Sequence, residues 1–248
     1  MLQPVAEPSR LQPLDAIAAE FNAGATQVVF LALSGIPDVA AERILSTEEA
    51  ERARSALAPP VRRGFVGGRW LLRTVLATLA GVDARSLDLR AGAHGKLFLA
   101  GHERLAVSFN LSHSGELATL ALAHGRRIGI DIEADRLLTD DALLARRILG
   151  PRERKRFEAL PESARSAALL ATWTRKEAVL KAMGTGILGG LSSVEVLADA
   201  VVGPGPSPTT WSVRTLSMPL GFYGAIAVEG AAPRLVTWQA IATHELSG

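Results

Sequence analysis

Leu105-Ala106-Val107-Ser108-Phe109-Asn110-Leu111, Leu117-Ala118-Thr119-Leu120-Ala121-Leu122-Ala123 and Arg127-Ile128-Gly129-Ile130-Asp131-Ile132-Glu133 follow one another through short polar turns. Each run is largely apolar and shorter than an ordinary helix, and the first two are closed by glycine-containing turns, which is how strands read. An antiparallel meander is the simplest way to join strands across turns this short. Upstream, Gln27–Leu33 (QVVFLAL) reads as a buried strand closed by Gly35-Ile36-Pro37, and residues 1–25, rich in Pro and Ala, as a loose lead-in. Ser46-Thr47-Glu48-Glu49 opens a helix, with Ser46 as cap and Glu49 in capping-box position. Pro59-Pro60 interrupts, and Arg62 to Gly81 forms a long amphipathic helix. Downstream, a second helical block runs from about Leu138 to Met183, punctuated by Gly150-Pro151 and Pro161 and broken by Gly184, Gly186, Gly189 and Gly190. Val194–Leu197, Trp211–Arg214, Tyr223–Val228 and Leu235–Ile241 then read as strands, with 203–208 a surface loop.

The order strand, helices, strands occurs twice, and a weak internal repeat accompanies it. Arg43-Ile44-Leu45 before one charged helix resembles Arg147-Ile148-Leu149 before another. Trp70 precedes Gly81 by the same spacing as Trp173 precedes Gly184, with Arg73 and Lys176 at matching offsets. The expectation is an α+β pseudo-dimer of two similar halves, 1–125 and 126–248, each an antiparallel sheet packed with a long helix. A ligand cleft would belong to the junction.

Composition narrows the function classes. The 248 residues contain no cysteine, which excludes disulfide scaffolds, thiolate metal sites and cysteine nucleophiles. Lys+Arg 27 against Asp+Glu 25 leaves a net charge of +2, too little for bulk nucleic-acid binding. The first twenty residues carry Glu7, Asp15 and Glu20 and no signal-like apolar run, and no stretch is long and uncharged enough to span a membrane. A cytoplasmic protein without nucleic-acid or membrane partners is expected. One basic segment, Arg146, Arg147, Arg152, Arg154, Lys155 and Arg156, reads either as a solvated helix face or as a docking surface for an acidic partner.

Three places carry candidate chemistry. Asp131 and Glu133, two apart on a strand, share one face. They are either acids facing water at a strand end, or oxygen ligands for a hard cation such as Mg2+ with a phosphate as co-ligand. Glu177 and Lys181, four apart on a helix, are either a surface salt bridge or a metal or proton site with a phosphate partner. Asn110-Leu111-Ser112-His113-Ser114-Gly115 is either an ordinary polar turn or a phosphate-holding one. No Walker A loop, dinucleotide fingerprint or His-Glu-x-x-His zinc motif is present.

As a set, these segments resemble the 4′-phosphopantetheinyl transferase superfamily, in its two-domain type. The matching pieces occur in family order: Phe109-Asn110-x-Ser112-His113-Ser114, Gly129-Ile130-Asp131-Ile132-Glu133, and Trp173-Thr174-x-Lys176-Glu177-Ala178-x-x-Lys181-Ala182-x-Gly184-x-Gly186. Weaker matches are Glu48–Arg52, Arg69–Arg73 and Gly95-Lys96, where Leu97 stands in place of the family's proline. The resemblance implies transfer of the 4′-phosphopantetheine arm of coenzyme A to a serine of an apo acyl- or peptidyl-carrier protein, with release of 3′,5′-ADP. It implies Asp131, Glu133 and Glu177 as ligands of Mg2+ (or Mn2+), and Lys181 beside the leaving phosphate. Arg52, Lys96, Ser112 and His113 would hold the nucleotide phosphates, and either Glu177 or a water on the metal would take the serine proton. The alternative is a module that binds coenzyme A or carrier protein without transfer; the presence of all three acids and Lys181 argues against it. The length exceeds that of the compact trimeric synthases of the fatty-acid pathway and implies a monomer.

Overall fold

The structure is a computed structural model and describes residues 14–36, 41–55, 58–92, 94–138, 140–186, 190–203 and 209–240. Its helices are α1 (Leu14–Asn22), α2 (Thr47–Ser55), α3 (Pro59–Ala80), α4 (Asp141–Ile148), α5 (Pro151–Glu158) and α6 (Glu162–Met183). Its strands are β1 (Thr26–Ala32), β2 (Asp88–Ala91), β3 (Leu97–Ala100), β4 (Val107–Ser114), β5 (Leu117–His124), β6 (Ile128–Ala134), β7 (Ala200–Val202), β8 (Thr210–Thr215), β9 (Phe222–Glu229) and β10 (Leu235–Ala240). Two four-stranded sheets, ordered β10-β1-β5-β4 and β6-β9-β8-β7, are accompanied by a small β2-β3 hairpin. The architecture is the expected α+β arrangement of two similar halves.

The repeat is sharpest at its buried charges. Helices α3 and α6 both have 22 residues, and both end on a left-handed glycine, Gly81 (φ 66°) and Gly184 (φ 73°). The Ser46–Glu49 capping box forms as expected: Glu49 N donates to Ser46 Oγ (3.2 Å) and Ser46 N to Glu49 Oε2 (3.0 Å). That same Glu49 Oε2 pairs with Arg73 Nε at 2.6 Å. Arg73 Nη1 donates to the carbonyls of Ala84 and Leu87 in the loop after its helix. In the second half Glu153 accepts from Gly150 N and pairs with Lys176 Nζ at 2.6 Å, and Lys176 donates to the carbonyls of Leu191 and Val194. Arg73 and Lys176 are 2% and 0% exposed, so each charge survives burial only because it is paired and hydrogen-bonded.

Four expectations are corrected. The β4–β5 hairpin forms, but β6 does not continue a meander: it pairs antiparallel with β9 in the other sheet. Strand β10 crosses back to lie parallel to β1, so residues 235–240, on the second side of the 125/126 division, build the first half's sheet. Pro59-Pro60 starts α3 rather than interrupting a helix, because the first turn needs no N–H donors there. Val194–Leu197 is not a strand: the Val194 carbonyl accepts from Lys176, Val196 N donates to Glu153 and the Val196 carbonyl accepts from Arg175. These backbone groups serve charged side chains instead of a ladder. In the lead-in, Leu14–Asn22 is helical and buries Ile17 and Phe21. The expectations for residues 1–13, 204–208, 187–189, Pro37 and Ile241 lie outside the described residues.

The unbroken apolar run of β5 has a simple cause. Its leucines, Leu120 and Leu122, pack with Leu72, Val75 and Leu76 under α3, while Ala121 and Ala123 face Ile128, Ile130, Ile226 and Val228 of the second sheet. Large residues fill the space beneath a helix, and small ones let the halves approach closely. Gly129 achieves the same on the other side of β6, which lies against α6 backbone to backbone.

Candidate functional site

Edge strands β4 and β6 meet at the junction of the halves, and α6 crosses over β6. Because Ile128, Ile130 and Ile132 are all buried, the alternate residues Asp131 and Glu133 take the face that looks toward α6. Asp131 Oδ1 accepts from Lys181 Nζ at 2.6 Å and from Ser112 Oγ at 3.1 Å; Lys181 Nζ also donates to Ser112 Oγ at 3.1 Å. Three elements far apart in sequence thus converge on one carboxylate. Asp131 is buried, so it is not an acid facing water at a strand end. Lys181 pairs with Asp131 and not with Glu177, which removes the surface salt-bridge reading of the helical pair. Ser112 and His113 lie inside β4 rather than in a turn; the turn follows at Gly115-Glu116.

Burial raises the pKa of Asp131, opposed by Lys181 and reinforced by Glu133. Burial also raises that of Glu177, with Asp131 adding to the rise and Lys181 opposing it. Two buried oxygens, Asp131 Oδ2 and Glu177 Oε1, have no hydrogen-bond partner among the described residues. Unpartnered carboxylate oxygens of raised pKa, in repulsion with each other, are what a hard cation would relieve, and an all-oxygen donor set fits Mg2+ or Mn2+. Glu133 completes the acidic group but is turned aside: its Oε2 accepts from Arg136 Nη1 (2.7 Å) and Ser114 Oγ (3.3 Å). Among the described residues no three acid or imidazole groups already stand in a metal-holding cluster.

Along β4, a cavity of about 280 Å3 is lined by Arg52, Phe65, Arg69, Asn110 and His113. Arg52 and Arg69 both lie over the Phe65 ring, their guanidinium carbons 5.0 and 5.3 Å from its centroid. His113 packs on α3 where Gly64 leaves room; a Cβ there would stand 2.7 Å from Nδ1. Burial, with the Lys181 charge adding, lowers the His113 pKa, so the imidazole is neutral near pH 7. Lys96 also borders the cavity, but its ammonium donates to the carbonyls of Ile128 (2.9 Å), Lys181 (2.8 Å) and Ala182 (3.2 Å). It ties β6 to the end of α6 instead of pointing a free charge at the cavity, and burial lowers its pKa to about 8. Of the basic segment, Arg152 pairs with Glu195, and Arg154 donates to the carbonyls of Arg146 and Leu149.

Sequence reasoning left out Arg69, Phe65, Asn110 and Ser114 as site residues. Arg69 had a legible signal: it precedes Arg73 by one helical repeat and reaches the same Glu49 (3.4 Å), yet keeps a buried Nη1 without a partner among the described residues. The other three show their role only once β4, β6 and α3 are assembled.

A model of the 4′-phosphopantetheinyl transferase superfamily matches residues 127–215. Among relatives, the 4′-phosphopantetheinyl transferase HetI of Nostoc sp. is 36% identical over 201 residues, covering 79% of this chain and 83% of that protein. The phosphopantetheinyl transferase of Thraustochytrium sp. is 30% identical over 225 residues, covering 82% and 78%. Among solved structures, the holo-[acyl-carrier-protein] synthase of Thermotoga maritima shares 25% identity over 41% of this chain and 61% of that one, with a TM-score of 0.29. The matched span holds Asp131, Glu133, Glu177 and Lys181, and the likeness to the Nostoc protein runs across most of both lengths: the chain belongs to the 4′-phosphopantetheinyl transferase superfamily.

Proposed function

We propose that the protein transfers the 4′-phosphopantetheine arm of coenzyme A to a serine hydroxyl of an apo acyl- or peptidyl-carrier protein, releasing 3′,5′-ADP. The observation that carries this reading is the convergence of Asp131, Lys181 and Ser112, with the charge of Glu177 felt by Asp131 and Lys181, on the strand β4 whose His113 lines a cavity with Arg52 and Arg69. Asp131, Glu133 and Glu177 would hold Mg2+ or Mn2+, which when bound supplies charge neutralisation for a pyrophosphate. Arg52, Ser112 and His113 hold the nucleotide phosphates, and Lys96 braces the frame from behind. Reaction forms a bond from the serine oxygen to the β-phosphorus and breaks the pyrophosphate P–O bond, a displacement governed by positioning and electrostatics. Glu177, made more basic by burial, accepts the serine proton. Lys181 stabilises charge on the departing phosphate, leaving Asp131 to do so. Several apo carrier proteins incubated with coenzyme A and Mg2+ test the reading by mass spectrometry. Gain of one phosphopantetheine on any of them is expected; coenzyme A binding with no gain on any would leave the non-transferring module.

A further inference from the structure

Strands β4 and β6 are the facing edges of two different sheets, and no backbone ladder joins them. An edge strand leaves every second N–H without a partner, which is costly where it is buried. Here β4 supplies the missing acceptors from its side chains. Asn110 Oδ1 accepts from Ile130 N (2.8 Å), Ser112 Oγ from Ile132 N (3.3 Å) and Ser114 Oγ from Ala134 N (3.0 Å). The offset is twenty residues each time, so the strands run parallel in one fixed register. The two hydroxyls also act as donors, Ser112 to Asp131 Oδ1 and Ser114 to Glu133 Oε2. Each serine therefore grips an acid and the N–H of the residue after it.

We propose that Asn110, Ser112 and Ser114 form a side-chain seam that fixes the register of β6 against β4, and that Asn110 and Ser114 are positioning residues for the Asp131/Glu133 pair. A backbone ladder would have consumed the same N–H groups but given the carboxylates nothing. A hydroxyl carries a donor and acceptors together, so it holds strand and acid at once. Ser114 also counters a competing pull, because Glu133 is otherwise held by Arg136, an exposed side chain that draws it toward solvent. Asn110 makes no hydrogen bond to an acid and fixes only the start of the register.

The proposal rests on the reading of Asp131 and Glu133 as metal ligands, so the experiment measures metal binding apart from turnover. Mn2+ is titrated, with coenzyme A present and no carrier protein, into wild type, Ser114→Ala, Ser114→Thr and Asn110→Ala, and binding is followed by electron paramagnetic resonance. Loss of an outer partner of a ligating group typically weakens metal affinity about 10–100-fold. Ser114→Ala is expected to lose about tenfold in Mn2+ affinity, with KM for coenzyme A nearly constant, while Ser114→Thr regains the wild-type value. Amide exchange gives a second readout: Ala134 N–H should exchange faster in Ser114→Ala, and Ile130 N–H in Asn110→Ala. Wild type that binds no Mn2+ would remove the metal reading itself. Wild type that binds, with Ser114→Ala binding equally well, would overturn the seam and leave that reading intact. Weakened binding that Ser114→Thr does not restore, alongside an equal fall in melting temperature for both variants, would also overturn it. If Ser114→Ala does not fold, Asn110→Ala and Ser114→Thr still carry the exchange test.

Discussion

Gly129→Ala probes one of the closest approaches in the molecule. A Cβ at residue 129 would stand 2.1 Å from the Ala178 carbonyl oxygen and 2.3 Å from the Ala182 nitrogen, where ordinary contact begins at 3.4 Å. Both obstacles are helix backbone and cannot rotate away. Strand β6 and helix α6 must therefore separate by roughly 1 Å, and overpacking of this kind costs about 1–3 kcal/mol. The upper half of that range is expected, because the same separation stretches the three Lys96 hydrogen bonds that bridge Ile128 to the end of α6. For a chain of this length that corresponds to a fall in Tm of roughly 4–12 °C. The chemistry should suffer more than the stability. Asp131 rides on the strand, while Glu177 and Lys181 ride on the helix, so the same displacement opens the site. Misplacing reacting groups by about 1 Å can cost around 10²-fold in rate. The assays are thermal melting, and kcat/KM with coenzyme A and one apo carrier protein. A wild-type Tm would refute the packing argument. A lowered Tm with a wild-type rate would refute the claim that this spacing sets the site.

Glu177→Gln keeps the size of the side chain and removes a charge that burial disfavours, so the metal-free variant should melt at or above the wild-type temperature; its kcat should fall by about 10²–10⁴, and a near-normal rate would count against the assigned proton acceptor. His113 has a lowered pKa in the fold, so the unfolded chain binds more protons between the folded pKa and the ordinary value near 6.5. Stability should therefore fall as pH drops through that window, and Tm measured against pH should lose this slope in His113→Gln. Lys176→Met leaves Glu153 buried with backbone donors alone, and urea unfolding should show a loss of about 3–5 kcal/mol; a loss below about 1 kcal/mol would place the pair among the weak ones.

The long helices and the β4–β5 hairpin were legible because their signals are local: apolar spacing, a capping box at Ser46 and Glu49, glycine stops at Gly81 and Gly184. The candidate acids were legible for the same reason, since period two fixes Asp131 and Glu133 on one face whatever β6 pairs with. Pairing itself was not. Ile128–Ile132 is equally apolar whether it meets β5 or β9, and nothing in Leu235–Ala240 signals a return to β1. Lys96 shows the limit at a site residue: its neighbour Gly95 and its charge suit a phosphate, but the carbonyls that hold it come from Ile128, Lys181 and Ala182, which only tertiary contact brings together.

The internal repeat also separates scaffold from chemistry. At the register that aligns Trp70 with Trp173 and Gly81 with Gly184, Arg73 coincides with Lys176, and both are buried cations clamped by a capping-box glutamate and two loop carbonyls. What repeats is thus what any half needs to hold its long helix. One position further on, and again four after that, the halves part: α6 carries Glu177 and Lys181 where α3 carries Thr74 and Thr78. Thr78 Oγ1 donates to the Thr74 carbonyl on its own helix, a bond that needs nothing from outside. A pair required for packing would have a charged counterpart in the first half, as Lys176 has in Arg73. Glu177 has none, its Oε1 is buried without a partner among the described residues, and its charge feels the strand acids Asp131 and Glu133. A group that the repeat does not require and the fold leaves unsatisfied comes at a cost to stability, and the roles proposed for it at the junction of the halves, holding a cation and accepting a proton, would offset that cost.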